Sequence, residues 1–419
     1  MVLRIVAGSI DISPVGEIQM GCGDDPTPTA KVRDPLEANV LILRDRSKSV
    51  ALISIDALYI GANLRALIDE GLADLVSPEE IFLGASHTHY APFLDGNKPL
   101  LGGIDSEHVH DVAQRLIALT RSLLAKPGAP AAVEYAVFRT SAPVSRRQKR
   151  LVGGVEGKLK FNAVIAAPNW RATIPQNAHV LRFSTADGPI AFLWQLPCHP
   201  TSLPKGCAHS AHFPGEIRAQ LRRQVGSGVP VAFFQGFSGD LRPPASGSYV
   251  GMKSCVRRVL LGPWFDAFSE AEYANWVGAM TGEVSRACKS MIPVTSSDGE
   301  WLTTARVTTE LAQLAVAPSR STAQVSWQRV SVGSIDLVGV SAEPVAAYGR
   351  LVDELSADTG RTSIPVGCID DVFGYAPTDR MLREGGYEAT GFCKHFGIVE
   401  LRPGFETVMK SRLTEVFRR

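Results

Sequence analysis

The sequence lacks the features that mark several protein classes. Its seven cysteines are an odd number and include no C-x-x-C pair, which argues against a disulfide framework and a thiolate zinc finger. No apolar run approaches the roughly 18 residues of a membrane span. The opening MVLRIVAGSIDISPVG is too polar for a signal peptide. We therefore expect no transmembrane segment and a cytoplasmic location.

The chain also lacks an excess of either charge. Lys and Arg total 43 against 42 Asp and Glu, so a net charge of +1 predicts no nucleic-acid partner. Neither the P-loop nor the Rossmann dinucleotide-binding pattern is present. With 45% hydrophobic and 20% charged residues among 419, the composition is that of a globular protein with a large core. Oligomeric state cannot be read from these features.

Short, continuous apolar runs are what the sequence does contain, and such runs are typical of strands covered on both faces. The runs are SVALISID (49–56), EEIFLGAS (79–86), IAFLWQLPC (190–198), VPVAFFQGF (229–237) and SIDLVGVSA (334–342). Amphipathic patterns predict helices at about 61–75, 107–125, 214–225, 269–291, 344–357 and 404–418. We expect an α/β fold, a layered domain with a mixed sheet covered by helices.

This domain is expected to span residues 1–419 as a single unit, without an internal repeat. Alternating patterns at 131–141 and 301–310 suggest antiparallel strands. Residues 144–176 show no clear period and predict a long loop, either functional or disordered.

Polar residues follow the predicted strands at their carboxyl ends, where ligands bind in open α/β sheets. They are Asp56, His87, His89, His199, Ser238, Asp240 and Glu343. Two histidines and a glutamate form the ligand set of many catalytic zinc sites. If these strand ends converge, the sequence predicts a metal site.

Other interpretations stay open at this point. His199 could be a turn residue, and Glu343 could be a carboxylate favoured at a helix start. Ser238 lies in a strand-to-turn context like that of a serine-hydrolase nucleophile, although Asp240 replaces the last glycine of G-x-S-x-G. The basic cluster Arg146, Arg147, Lys149 and Arg150 is typical of a solvated surface, from which one arginine could clamp a carbonyl.

Together these segments resemble the neutral (non-lysosomal) ceramidase family of zinc-dependent amidases. The segments, in the family's order, are ISIDAL, GASHTHYAP, LPCHPTS, FFQGFSGDLRPP, and VSAEP followed by GYAPTDRMLREGGYEA. The opening AGSIDISP also looks like the family's start. The resemblance covers nearly the whole chain and implies a neutral-ceramidase-like catalytic domain without the family's C-terminal immunoglobulin-like domain.

The resemblance implies a single Zn²⁺ held by four ligands, which are His87, His199, Glu343 and Tyr375. His89 and Arg146 would be catalytic, the first as a non-ligand group near the scissile bond and the second as a substrate-orienting arginine. We expect Asp56 and Asp240 to orient the histidine ligands from outside. The expected reaction is hydrolysis of an N-acyl amide by a metal-activated water. An esterase or lactonase on the same site, a serine hydrolase and a non-catalytic metal-binding protein are the alternatives.

Three residues depart from the family pattern. Tyr90 replaces a small residue after H-T-H and would reshape the mouth of the site. Arg242 stands where the ceramidases carry serine in the G-D-x-S-P-N turn, and His212 where relatives carry Asp. A small-molecule amide, ester or lipid-like substrate is expected. If Arg242 faces the pocket, an anionic substrate suits it better than a lipid.

Overall fold

Three sheets organise the chain in the computed structural model. The described residues are 2–21, 28–153, 159–206, 208–246, 256, 262–296 and 299–419. The described cysteines Cys198, Cys288, Cys368 and Cys393 are all free. The other three, Cys22, Cys207 and Cys255, lie outside the described residues.

The first sheet has five strands in the spatial order β4-β3-β2-β1-β5. Their bounds are β1 Arg4–Asp11, β2 Glu37–Arg44, β3 Ser49–Ile55, β4 Ile81–Ala85 and β5 Ala129–Pro130. Strands β3 and β4 are parallel, and helix α1 (Ala62–Leu72) connects them. Helix α2 (Ser106–Leu124) has Asp105 as its N-cap residue, and the Asp105 side chain accepts a hydrogen bond from the backbone N–H of His108. Both helices bury apolar residues in the same core as β2 and β3.

The second sheet has the order β11-β10-β9-β6-β13. A smaller sheet has the order β12-β7-β8, and in the sequence its strands come between those of the second sheet. The bounds are β6 Ala132–Arg139, β7 Val144–Gly153, β8 Leu159–Asn169, β9 Asn177–Thr185, β10 Gly188–Leu196, β11 Val231–Gln235, β12 Leu241–Arg242 and β13 Ile292–Pro293. Helix α3 (His212–Val225) connects the parallel strands β10 and β11, and α4 (Glu270–Lys289) packs beside it.

The third sheet has the order β14-β16-β17-β19. Its strands are β14 Leu302–Glu310, β16 Gln324–Val332, β17 Ile335–Val340 and β19 Thr362–Val366. Helix α6 (Ala347–Thr359) connects the parallel strands β17 and β19. Helix α8 (Phe405–Arg418) packs in the same core. The remaining elements are α5 Leu311–Leu314, β15 Ala315–Val316, β18 Glu343–Pro344, β20 Tyr375–Ala376, α7 Asp379–Glu384 and β21 Glu400–Leu401, with single turns at Pro78–Glu80, Tyr387–Gly391 and Cys393–Phe396.

One topological unit recurs in all three sheets, although the sequence shows no repeat. In each sheet an antiparallel pair is followed by a helix and a parallel strand: β2-β3-α1-β4, β9-β10-α3-β11 and β16-β17-α6-β19. The third strands of the three units meet at the centre of the molecule. Gly367 N–H donates to Gln235 O at 2.8 Å, and Asp370 N–H donates to Leu83 O at 3.0 Å. The segments that follow these strands therefore converge.

The three sheets share one apolar core on their inner faces, and helices cover their outer faces. The shared core includes Leu41, Leu52, Phe82, Leu193, Phe234, Leu337 and Ile364. The close approach of strands depends on small residues, since a Cβ on Gly84 would lie 2.7 Å from the Phe234 ring. Burial on both faces explains the continuous apolar runs.

The fold prediction is confirmed as α/β, with several mixed sheets in place of one. All six predicted helices are present, each within three residues of its predicted bounds. The predicted loop at 144–176 is wrong, because β7 and β8 form a hairpin there; residues 154–158 lie outside the described residues. No helix in the described part of the chain combines the length and the apolar character needed to cross a membrane.

Candidate metal centre

Three histidines from two different sheets meet where the strand ends converge. His87 and His89 follow β4, and His199 follows β10. One ring nitrogen from each lies within 4.8 Å of the others, so the three histidines could hold a metal ion. Glu343, on β18, places its Oε2 3.2 Å from His87 Nε2 and 3.0 Å from His199 Nε2. Side chains that follow three different predicted strands therefore lie together at this point.

Main-chain carbonyl groups fix how two of the imidazoles are turned. His87 Nδ1 lies 3.0 Å from Leu58 O, and His199 Nδ1 lies 2.8 Å from Leu241 O. Because a carbonyl oxygen only accepts, each Nδ1 must carry a hydrogen, and in the neutral ring Nε2 then has a lone pair. In a neutral ring, the Nε2 lone pair of each would face the Glu343 carboxylate. His87 has a φ of 64°, a conformation that is rare for a residue with a side chain.

The Glu343 carboxylate is buried and ionised. Burial raises the pKa of Glu343, but the charge of His87 and the close contacts with the His199 and His87 rings outweigh burial and hold this pKa well below its usual value. The Tyr59 hydroxyl donates to Oε1 of the same carboxylate. Oε2 is therefore the oxygen that faces the two imidazoles.

The cluster attracts a positive charge. Burial lowers the pKa of His199 to about 4, so its ring is neutral at neutral pH. For His87, burial acts to lower the pKa, but the interactions with Cys368 and Glu343 outweigh it and leave the pKa well above the usual value. A neutral His199 Nε2 and a carboxylate oxygen 3.0 Å apart are two hydrogen-bond acceptors. They repel each other at this distance unless a cation lies between them.

The donor set also fits the dimensions of a zinc site. With zinc about 2.0–2.1 Å from nitrogen and oxygen in a tetrahedron, two ligand atoms are roughly 3.3 Å apart. The observed separations of 3.0 and 3.2 Å are close to this. The buried His87 Nε2 and His89 Nε2 have no hydrogen-bond partner in the described part of the chain. Buried nitrogen atoms without partners are unusual in proteins unless a ligand, ion or water meets them.

A cavity of about 750 Å³ opens beside the histidines. His89, His199, Tyr59, Arg146, Arg242 and Tyr375 are among its lining residues, and Met20, Leu101, Leu203, Phe265 and Phe396 supply apolar wall. Burial, with the neighbouring His87 and His199 rings, holds the pKa of His89 well below its usual value. His89 is therefore a neutral imidazole on the cavity wall.

Arg146 also lines this cavity and is held by an acidic partner. Its Nε donates to Glu388 Oε1 at 2.6 Å, and its Nη2 donates to Gly239 O at 2.7 Å. Arg147 donates to the other oxygen of Glu388 at 2.7 Å, and Lys149 pairs with Glu384 at 2.8 Å. The prediction of a solvated basic surface is therefore wrong for Arg146 and Arg147. Both side chains form ion pairs with acidic residues of the segment 384–388 and have little contact with solvent.

Tyr375 lies beside Glu343, its register partner in the parallel pair of β18 and β20. The guanidinium carbon of Arg146 is 5.2 Å from the centre of its ring. Burial raises the pKa of Tyr375 well above its usual value, although Arg146 opposes this. The phenol is thus protonated at neutral pH in the metal-free protein.

Two of the three departures from the family pattern are in the cavity wall. The Tyr90 hydroxyl accepts a hydrogen bond from Leu203 N–H at 2.9 Å, and Arg242 lines the cavity. The buried His212 stacks on the Tyr90 ring at 5.7 Å between centroids. His212 is not among the described lining residues of the cavity, and burial lowers its pKa to about 3. It therefore supports Tyr90 from behind.

Three predicted site residues do not reach the histidines. Asp56 pairs with Arg218 at 2.7 Å, and Asp240 Oδ1 accepts from Ala346 N–H at 2.8 Å. The prediction that they orient the histidine ligands is wrong, because backbone carbonyls take that place. The buried Ser238 hydroxyl accepts from the side-chain amide of Gln235, and Ser238 is not among the described residues that line the cavity.

Three residues at the site were missed by the sequence analysis. Tyr59 binds Glu343, Glu388 binds Arg146, and Cys368 hydrogen bonds with His87. Tyr59 follows the predicted strand-end residue Asp56 by three positions, so extending that strand end would have found it. Glu388 lies within the GYAPTDRMLREGGYEA segment, where its acidic charge opposite a basic cluster was the available signal.

The fold and the histidine cluster together define a mixed α/β protein with a candidate metal site at converging strand ends. Solved structures of ceramidases have this fold. The crystal structure of neutral ceramidase from Pseudomonas aeruginosa is similar with a TM-score of 0.76 and 14% identity, over 99% of this chain and 74% of that one. A structure of ceramidase complexed with C2 is similar with a TM-score of 0.76 and 14% identity, over 99% and 75%.

No family model matches the sequence, and the curated proteins contain no match to it either. The resemblance to neutral ceramidases is thus confirmed at the level of the fold.

Proposed function

We propose that this protein is a zinc-dependent hydrolase that cleaves an N-acyl amide bond. His87, His199 and Glu343 would hold a single Zn²⁺, with Tyr375 as the fourth protein ligand. The observation that carries the proposal is the 3.0 Å approach of a neutral His199 Nε2 to an ionised carboxylate oxygen, with His87 Nε2 3.2 Å from the same oxygen. A divalent cation is the group that this arrangement suits.

When bound, zinc supplies Lewis acidity and a hydrolytic water that is reactive at neutral pH. The chain's own residues would position the substrate. Arg146, fixed by Glu388, would donate hydrogen bonds to the substrate carbonyl oxygen as negative charge develops there. The neutral His89, on the cavity wall, would accept the proton that the hydrolytic water loses and donate it to the departing amine nitrogen.

The cavity supports a substrate with an apolar acyl part. Its apolar lining residues could bury a hydrocarbon chain, and its volume of about 750 Å³ is within the usual range for small-molecule sites. Esters and lactones present the same carbonyl chemistry and would use the same site.

The four described cysteines are free, which is in keeping with a reducing compartment such as the cytoplasm.

The first experiment is metal analysis joined to an activity screen. Purified protein would be assayed by mass spectrometry for bound metal and tested on N-acyl amines, N-acyl amino acids, esters and lactones. We expect one zinc per chain, and turnover that a chelator abolishes and added zinc restores. Ser238→Ala should keep this turnover because Ser238 lies away from the cavity.

Two results would overturn the proposal. Loss of turnover in Ser238→Ala without loss of zinc would favour a serine hydrolase. Stoichiometric zinc with no turnover across the whole panel would favour a metal-binding protein without catalysis.

A further inference from the structure

We infer that the substrate of the proposed hydrolase carries its long hydrocarbon chain on the acyl side of the amide and only a short group on the amine side, and that Tyr90 sets this limit. The inference rests on the proposed amide hydrolysis and names its substrate class. Hydrolysis would break the C–N bond, with water supplying OH to the acyl carbon and a proton to the nitrogen. The products would be a long-chain carboxylate and a short amine.

Tyr90 is fixed on the cavity wall through its hydroxyl, its backbone and its ring. The hydroxyl accepts a hydrogen bond from Leu203 N–H at 2.9 Å, and the backbone carbonyl accepts one from Ser210 N–H at 2.8 Å. The ring stacks on the buried His212 with 13° between the two planes, and His212 in turn packs edge-on against Tyr273. A rotation of Tyr90 out of the cavity would give up both the stacking and the hydrogen bond to Leu203, so the ring is a fixed part of the wall.

Tyr90 bounds the cavity on the side where the amine nitrogen departs. It directly follows His89, the imidazole proposed to protonate that nitrogen, and both side chains line the cavity. The Cα atoms of consecutive residues are only about 3.8 Å apart. The backbone of this pair is also held, because His89 N–H donates to Pro200 O at 3.2 Å. The amine half of the substrate must reach His89, and it therefore meets Tyr90.

The segment 201–206 continues the wall from Tyr90, since all six of its residues line the cavity. Leu203 is bound to the Tyr90 hydroxyl, and Ser202 O accepts a hydrogen bond from Phe268 N–H at 3.1 Å. Tyr90 is thus one of the attachments that hold this segment over the cavity. Wall and attachment together leave room beside His89 for a short group in place of a long chain.

A long chain has apolar surface available elsewhere in the same cavity. Met20, Leu101 and Phe396 are among the lining residues. The Phe396 ring packs edge-on against the Tyr59 ring at 5.9 Å between centroids, and the Tyr59 hydroxyl donates to Glu343. Apolar surface therefore extends from a point beside a proposed zinc ligand, and each methylene that it buries favours binding. With the amine side closed by Tyr90, the acyl chain is the part of the substrate that this surface suits.

The test uses two isomeric amides, N-ethyldecanamide and N-decylacetamide. They have the same formula and the same apolar content, but the long chain is on the acyl side in the first and on the amine side in the second. For the zinc-loaded wild type we expect kcat/KM to be at least about tenfold higher for N-ethyldecanamide, since one misplaced methylene can already cost about 10–200-fold. Tyr90→Ala should reduce this ratio to less than about threefold by raising kcat/KM for N-decylacetamide.

Matched variants separate the ring of Tyr90 from its other properties. Tyr90→Phe retains the ring and should retain the preference. His212→Asn removes the stacked ring, and it should lose part of the preference; asparagine tolerates the φ of 60° at this position. Trp170→Ala removes an exposed ring that is not among the described lining residues, and it should behave as wild type.

Two further measurements keep the test independent of folding and of turnover. Zinc content and thermal unfolding identify a variant that has not folded, and Tyr90→Leu, which keeps apolar packing on His212, then replaces Tyr90→Ala. Calorimetric binding of the two isomers to the metal-free protein should show the same order as kcat/KM, with N-ethyldecanamide bound at least about tenfold more tightly by the wild type.

The outcomes distinguish the two proposals. Chelator-sensitive turnover that is equal on both isomers, or faster on N-decylacetamide, would overturn the chain assignment and leave the zinc hydrolase intact. A preference for N-ethyldecanamide that Tyr90→Ala leaves unchanged would remove Tyr90 from its role. A binding preference without turnover, in protein that holds zinc, would count against the proposed hydrolysis and retain the assignment of the cavity. Absence of both turnover and binding preference would count against both.

Discussion

Removal of the two histidines of the H-T-H motif, one at a time, should separate zinc binding from catalysis. His87 Nε2 lies 3.2 Å from Glu343 Oε2, whereas His89 lines the cavity. The proposed assignment makes His87 a ligand and His89 a group that acts on substrate. His87→Ala should therefore lose zinc, and His89→Ala should retain it.

The magnitudes follow from these roles. Residues that only orient a ligand typically change metal affinity by 10–100-fold, so loss of the His87 ligand should weaken zinc binding by more than about 100-fold. A proton-transfer group typically contributes 10²–10⁴-fold in rate. His89→Ala should thus lower kcat at least about 100-fold, or about 2.7 kcal/mol of transition-state stabilisation, while zinc affinity changes by less than about threefold.

The assay is zinc content by mass spectrometry after dialysis, with affinity from competition with a chromogenic chelator, and kcat on the best amide of the panel. His110→Ala is the matched control, because His110 is exposed on α2 and its ring contacts Gln114. It should leave both quantities unchanged. A zinc-free His89→Ala protein would refute the assignment, since the three histidines are close enough for His89 to be a ligand. A fully loaded His87→Ala protein would refute it equally.

Three further predictions concern groups around the site and in the core. Glu388→Gln should lower kcat about tenfold or more at unchanged zinc content, because Arg146 loses the charge that positions it; unchanged kinetics would remove Glu388 from the positioning role. Tyr59→Phe removes the donor to Glu343 Oε1 and should weaken zinc binding about 10–100-fold in the same competition assay, and an unaltered affinity would speak against Glu343 as an oriented ligand. His179 has a pKa lowered to about 4 by burial, against about 6.5 when unfolded. Between these values the unfolded chain holds more protons, so the free energy of unfolding should fall with acidification, by about 2 kcal/mol from pH 6.5 to 5 through this group. Urea unfolding at pH 7 and 5 should show a smaller acid loss for His179→Gln, and identical losses in both proteins would contradict this.

Much of the secondary structure could be predicted from the sequence, because helix and strand periodicities are local. The predicted helices and the buried strands are present. The segment 144–176 was misassigned because the strand β7 carries consecutive basic residues, which resemble a solvated segment until their acidic partners are known. Those partners, Glu384 and Glu388, are more than 200 positions away along the chain, and no local pattern reports them.

The site was predictable in part for the same reason. His87, His199 and Glu343 each follow a recognisable strand end, but their proximity could not be read from the sequence, because the three preceding strands belong to different sheets. Their neighbours were less predictable, because a residue at a strand end can point toward the site or away from it. The Asp56 carboxylate pairs with Arg218, whereas the Tyr59 hydroxyl, three positions later, donates a hydrogen bond to Glu343.

The sequence by itself determined which segments are buried strands and helices, and which of them end in imidazole or carboxylate side chains, since both depend on residues close together in the chain. Only the tertiary structure decided that three units of one topology meet with their strand ends together, and which partner each charged group takes. Those outcomes depend on distances between residues far apart in the chain: the contact of Glu343 with His87 joins positions 256 apart, and the cavity beside it exists only when the sheets have packed.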